Sequence, residues 1–107
     1  MVSKYQLVFD EVITKQLKKA AKNNHIKDIL AKMLDRLEIL GPDSGNLLDS
    51  KLFIYEIKIK NPPIRLYFKH VKQTDEIYVF EFEMKTSPEK QQNTIEKIKR
   101  KSQNLKS

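Results

Sequence analysis

The sequence predicts an α+β fold: a short first strand, an antiparallel helical hairpin, a three-stranded antiparallel meander and a short C-terminal helix, all within one domain spanning residues 1–107. Three observations carry that expectation. Between Lys51 and Lys85 lie three runs in which apolar residues alternate and β-branched and aromatic side chains are frequent: Lys51–Lys60, Ile64–Val71 and Glu76–Lys85. Turn-like segments, Asn61-Pro62-Pro63 and Lys72–Asp75, separate them. Upstream, Ile26, Ile29, Leu30, Met33, Leu34, Leu37 and Leu40 form one stripe at the helical period.

Taken in order, Tyr5–Phe9 reads as a short strand and Asp10 as the N-cap of a first helix. Ile13, Leu17, Ala20 and Ala21 form its apolar side, and Lys15, Lys18, Lys19 and Lys22 its polar side. Asn23-Asn24 ends it, because asparagine favours helix ends and turns. So short a link makes the two helices antiparallel neighbours. Gly41-Pro42 stops the second helix. Leu47-Leu48 is expected in a loop that plugs one end of the core. After the strands, Ser87 suits an N-cap and Pro88 a first helical position. Only Ile95, Ile98 and Leu105 are apolar beyond that point, so a poorly buried helix with a frayed end at Lys99–Lys101 is expected.

Composition narrows the function classes. The chain has 107 residues, enough for one modest core, with 39% apolar and 33% charged residues. The absence of cysteine rules out disulfides and thiolate metal sites. No apolar run approaches the roughly 18 residues of a membrane span, and the first residues lack a signal-peptide core, so a cytoplasmic protein is expected. The formal charge of +7 favours polyanionic partners such as nucleic acid or the ribosome. No P-loop, dinucleotide fingerprint, nucleophile elbow or zinc motif occurs. His25 and His70 are far apart and have no partner at metal spacing, so no metal and no cofactor is expected.

Alternation sorts the strand residues into two faces. Tyr78, Phe80, Phe82 and Met84 share one face of the last strand, and Ile77, Val79, Glu81, Glu83 and Lys85 the other. In the middle strand Ile64, Leu66, Phe68 and His70 oppose Arg65, Tyr67, Lys69 and Val71. In the first, Phe53, Tyr55, Ile57 and Ile59 oppose Leu52, Ile54, Glu56, Lys58 and Lys60. One side then packs on the hairpin. The other carries Glu56, Lys58, Arg65, Tyr67, Lys69, Glu81, Glu83 and Lys85, either as an ordinary wet sheet face or as a site.

Metal-free RNA cleavage needs a base for the 2′-OH, a cation for the phosphate and an acid for the leaving oxygen. Arg65 suits the phosphate, since its planar fork matches two oxygens. Lys58, Lys69 and Lys85 offer supporting charge. Glu56, Glu81 or Glu83 is a candidate base, and Tyr67 or His70 a candidate proton donor or stacking partner, with His70 assigned by parity to the apolar side. The basic Lys97–Lys101 segment is read either as a solvated helix end or as a nucleic-acid contact.

The element order also resembles that of the RelE/ParE toxin superfamily, near its HigB-like and phage-derived branches. Leu37–Pro42 resembles the end of that family's second helix. Lys51-Leu52 leading into Ile54–Lys58 resembles its leucine-tyrosine-glutamate-leucine-arginine strand, with lysine replacing the arginine. Ile64–Tyr67 resembles the arginine-valine-x-tyrosine strand, and Phe82–Pro88 the phenylalanine-x-lysine-lysine-threonine segment. The resemblance implies the toxin of a type II toxin–antitoxin pair, bound by a cognate antitoxin. It implies either a metal-independent mRNA interferase that inhibits translation on the ribosome, or a ParE-like inhibitor of DNA gyrase, or an inactive member. It carries Arg65, Lys58, Lys85 and Glu56 over as catalytic residues. The family's tyrosine or histidine near the C-terminus has no counterpart after Tyr78, so the resemblance supplies no general acid.

Overall fold

A computed structural model describes residues 5–105; the leader reading at Met1–Lys4 lies outside them. The elements are β1 (Gln6–Phe9), α1 (Glu11–Ala20), α2 (Asn24–Leu40), a 3-10 turn (Gly41–Ser44), β2 (Asn46–Asp49), β3 (Ile54–Lys60), β4 (Pro63–Val71), β5 (Glu76–Met84) and α3 (Pro88–Gln103). The α+β expectation holds, and the predicted meander is the centre of a larger sheet. Five strands lie in the order β1-β5-β4-β3-β2. β1 runs parallel to β5, and the other pairs are antiparallel.

The helix boundaries follow local chemistry. Asp10 Oδ2 accepts from Val12 N–H at 3.0 Å and caps α1. Asn23 Oδ1 accepts from the N–H groups of His25 and Ile26, so the residue that ends the first helix also starts the second. Gly41 ends α2 at φ 56, where a Cβ would lie 2.4 Å from the Tyr5 ring. Ser87 caps α3 through Lys90 N–H, and Pro88 takes the first helical position.

Leu47-Leu48 is a strand rather than a loop. β2 pairs with the start of β3, Asn46 opposite Glu56 and Leu47 opposite Tyr55. β3 begins at Ile54 rather than Lys51, because the chain turns through Phe53 at φ 55.

One face of the sheet meets α1 and α2. Ile13, Leu30, Met33 and Leu37 pack there against Ile57, Ile64, Leu66, Phe68, Ile77 and Val79. The face assignments for β3 and β4 stand, but that for β5 is corrected. The register shifts so that Tyr67 opposes Glu81 while Phe68 opposes Val79, leaving Phe80 as an extra residue. Before this bulge Ile77 and Val79 face the hairpin; after it Phe82 and Met84 do. Tyr78 and Phe80 point to the opposite side.

That opposite side is not open to water. α3 lies across it, and Ile54, Tyr67, Phe80 and Ile98 form a second core, each fully buried. The expected poorly buried, frayed helix is therefore a docked one. Thr94, Ile98 and Ser102 are its buried positions, spaced four apart on one face. Its lysines bond to acids around the sheet. Lys97 pairs with Glu81 at 2.9 Å, Lys101 with Asp10 at 2.9 Å and Lys99 with Asp49 at 3.4 Å.

Asp10 joins four elements, because its other oxygen accepts from Tyr78 Oη at 2.8 Å. Burial alone would raise its carboxyl pKa, but Val12 N–H, Lys101 and Tyr78 outweigh it and hold the group below its ordinary value. A depressed carboxylate contributes stability that is complete above the unfolded value and is lost as pH falls through the folded one. Asp10→Asn should therefore lower stability near neutral pH by about 1.5–3 kcal/mol, the range for hydrogen bonds to charged groups. In urea denaturation the gap to wild type should narrow as pH falls below 3.8.

Candidate functional site

The four residues expected to form the site converge at one corner of the sheet. Lys58 on β3 lies directly opposite Arg65 on β4, and Arg65 opposite Glu83 on β5. Lys85 follows the end of β5, where a left-handed backbone at φ 54 lets its N–H donate to Pro63 O at 3.2 Å. Together Lys58, Arg65 and Lys85 line a cavity of about 450 Å³ with Lys60, Ile64 and Thr86. Glu56 lies two residues behind Lys58 on the same face, and its Oε1 accepts from Arg65 Nη1 at 2.8 Å.

The Arg65–Glu56 pair organises the corner. Glu56 is buried, whereas the Arg65 side chain keeps 24% exposure, so the guanidinium is anchored at one end and open at the other. Gly45 helps seat Glu56, because a Cβ there would come within 2.5 Å of the Glu56 carbonyl oxygen. Lys58, Lys60 and Lys85 are exposed and, among the described residues, have no acidic partner within ion-pair distance. Among the described residues the cavity wall thus carries four cations and no carboxylate. That arrangement suits a phosphate, with Arg65 offering a planar fork and the lysines point charges.

Four other candidates are drawn away from it by α3 or by burial. Glu81 pairs with Lys97, and Glu83 accepts from Tyr67 Oη at 3.0 Å and from the Thr94 hydroxyl. Both acids lie beneath α3 and bond to Lys97, Tyr67 and Thr94, whereas Glu56 is the carboxylate bonded to Arg65. Tyr67 is fully buried with its hydroxyl donating to Glu83, which places it out of reach of a ligand at the corner; burial and then the Glu83 charge push that hydroxyl far above its ordinary value, so it stays protonated. Lys69 is buried, with its pKa lowered by that burial, and its Nζ donates to Leu52 O at 2.7 Å.

His70 belongs to the hairpin face, as parity predicts, in edge contact with Tyr5 and 3.1 Å from Asp75. The basic Lys97–Lys101 segment is largely committed to holding α3 down. Alternation put Lys60 on the same face as Lys58 without counting it among the site candidates, and it could not reach Thr86, which lies beyond the end of β5; adjacency to Lys58 and Lys85 was the available signal. Among the described residues no three histidine, aspartate or glutamate side chains cluster as metal ligands do.

No family model matches the sequence, and no curated protein sequence does. Solved structures do match. The isolated Escherichia coli RelE toxin superposes with a TM-score of 0.62 at 20% identity, covering 89% of this chain and 99% of that one. The RelBE2 toxin–antitoxin complex of Mycobacterium tuberculosis gives 0.61 at 13% identity, covering 78% of this chain and 100% of the matched chain. The intact E. coli RelBE complex gives 0.53 at 22% identity, with coverage of 78% and 100%. The chain has the fold of the RelE toxins.

The corner makes a direct prediction about anions. Arg65→Ala should weaken binding of inorganic phosphate by about tenfold or more, in line with about 1.4 kcal/mol for a lost charge-assisted bond. Glu56→Gln, which removes the competing carboxylate charge, should tighten it. Backbone amide shifts of Lys58, Arg65 and Lys85 during a phosphate titration would report both.

Proposed function

We propose that this chain is the toxin of a type II toxin–antitoxin pair, acting in the cytoplasm as a metal-independent endoribonuclease that cleaves mRNA on the ribosome. The observation that carries this reading is the convergence of Arg65, Lys58 and Lys85 on one acid-free cavity, with Glu56 beside it. The fold shared with RelE toxins supports it, as do matched toxins crystallised with their antitoxins. A cognate antitoxin is the corresponding partner, with the ribosome and its mRNA as target.

The chemistry follows from the corner. The scissile phosphodiester sits against the open side of Arg65, between Lys58 and Lys85. The 2′-oxygen attacks phosphorus, the bond to the 5′-oxygen breaks, and a 2′,3′-cyclic phosphate and a free 5′-hydroxyl result. Glu56 accepts the 2′-OH proton. The cations stabilise the charge that builds on the phosphate oxygens. Glu56 stands behind the cavity wall, bonded to Arg65, and among the described residues the wall itself holds no tyrosine, histidine or carboxyl group; we assign the proton delivered to the leaving oxygen to a lysine ammonium, Lys58 or Lys85.

Inducible expression in a bacterium, with 5′-end mapping of transcripts, tests this. Wild type should arrest growth and generate new mRNA ends. Arg65→Ala should cut cleavage by about 10²–10³-fold, the usual cost of losing a transition-state donor, while antitoxin binding persists. Full toxicity of Arg65→Ala would rule the mechanism out. Growth arrest with intact transcripts would replace it by non-catalytic inhibition of a protein such as DNA gyrase.

A further inference from the structure

A second cavity lies on the other side of the β3 edge. It also measures about 450 Å³, a size suited to a small polar ligand or one nucleotide unit. α2 forms one wall through Lys32 and Arg36, the 3-10 turn and Asn46 form another, and β3 from Glu56 to Ile59 forms the third. Lys58 and Ile59 line both this cavity and the Arg65 cavity, so the two are neighbours across one strand. Among the described residues no strand pairs with this edge of β3 beyond Glu56, since β2 pairs with Ile54, Tyr55 and Glu56. The path from one cavity to the other runs past the exposed Lys58.

Charge points to a polyanion as the ligand on that path. Lys32 and Arg36 stand one helical turn apart, both exposed, and neither has an acidic partner within ion-pair distance among the described residues. Of the two acids on the cavity wall, Glu56 is held by Arg65, which leaves Asp43 alone against Lys32, Arg36 and Lys58. On α3, by contrast, Lys97, Lys99 and Lys101 are paired with acids of the fold.

We propose that Lys32 and Arg36 form a second phosphate-binding subsite, which receives the continuation of a single-stranded RNA whose scissile phosphate lies at Arg65. The inference rests on the endoribonuclease reading and extends it. The strand leaves the Arg65 cavity past Lys58, rounds the uncovered β3 edge and enters the α2 cleft. There Lys32 and Arg36 meet its phosphates, and Ser44, Asn46 and Asn61 present hydrogen-bonding groups to its bases. The phosphate contacts of Lys32 and Arg36 carry the affinity independently of sequence, and the hydrogen bonds to bases add a preference on top of it.

Fluorescence anisotropy with non-cleavable 2′-O-methyl oligonucleotides tests the path. Wild type should bind a hexanucleotide at least tenfold more tightly than a dinucleotide. Lys32→Ala/Arg36→Ala should lose most of that gain. Its slope of log K against log salt should shrink by about 1.4, at about 0.7 per phosphate released from a single strand. Lys18→Ala/Lys22→Ala, which removes two exposed charges from α1 and the turn after it, should keep both gain and slope. Circular dichroism establishes that each variant is folded.

Unchanged hexanucleotide affinity and slope in Lys32→Ala/Arg36→Ala, with dinucleotide binding still lost in Arg65→Ala, overturns the subsite and leaves the Arg65 reading intact. The uncovered β3 edge would then suit an extended peptide instead. Equal losses in the α1 control overturn the subsite too, because they reduce it to general surface charge. Dinucleotide binding that survives Arg65→Ala overturns both readings, as does a wild type that binds neither oligonucleotide.

Discussion

The extra residue in β5 is the constraint on which the rest of the molecule depends. Without the bulge at Phe80, strict alternation would place Tyr78, Phe80, Phe82 and Met84 on one face and both glutamates with Ile77 and Val79 on the other. With it, Ile77 and Val79 close the hairpin core at one end of the strand, while Phe82 and Met84 close it at the other. Tyr78 and Phe80 are released to build a second core under α3. One unpaired residue thus lets a single strand serve two cores. It also brings Glu81 and Glu83 beneath α3, where Lys97 and Thr94 meet them.

The helix that covers this face is held by polar contacts as much as by apolar ones. Ile98 is its one fully buried apolar side chain, with Ile95 and Leu105 partly buried beside it. Thr94, Lys97, Lys99 and Lys101 bond to Glu83, Glu81, Asp49 and Asp10, which belong to different parts of the sheet and its connections. A buried carboxylate without such a partner would cost several kcal/mol, so acids and helix require one another. Removing either member of a pair leaves the other as the liability.

This division explains what alternation and helical period were able to reveal. The caps at Asp10, Asn23 and Ser87, the stop at Gly41 and the apolar stripe of α2 are local signals, and each appears where the residues indicate. β2 was hidden because Leu47-Leu48-Asp49 is too short to alternate and is defined only by its partner β3. The docking of α3 was hidden because its inward face is made of threonine, serine and isoleucine, which a search for apolar periodicity does not register. The bulge was invisible because a one-residue insertion leaves no mark in the sequence of the strand that carries it, and its consequence was to misplace half of β5. The corner residues escaped this error. Lys58 and Arg65 lie on β3 and β4, whose parity is unbroken, and Lys85 lies beyond the end of β5, where its N–H bond to Pro63 O at the start of β4 fixes it.

The same geometry bears on how the corner would act on a phosphodiester. Glu56 neutralises Arg65 in the resting state, which makes a buried carboxylate and a half-open guanidinium tolerable together. If Glu56 takes the 2′-OH proton, its charge disappears, and with it the attraction that competes for Arg65. That change occurs as charge accumulates on the phosphate oxygens. The guanidinium is therefore freed for the phosphate at the stage when its field is needed, and interactions stronger in the transition state than in the ground state are those that accelerate a reaction. A carboxylate placed farther from Arg65 would accept the proton without this transfer of charge. The 2.8 Å contact, which in a resting structure looks like simple stabilisation, is on this reading what couples proton removal to phosphate binding.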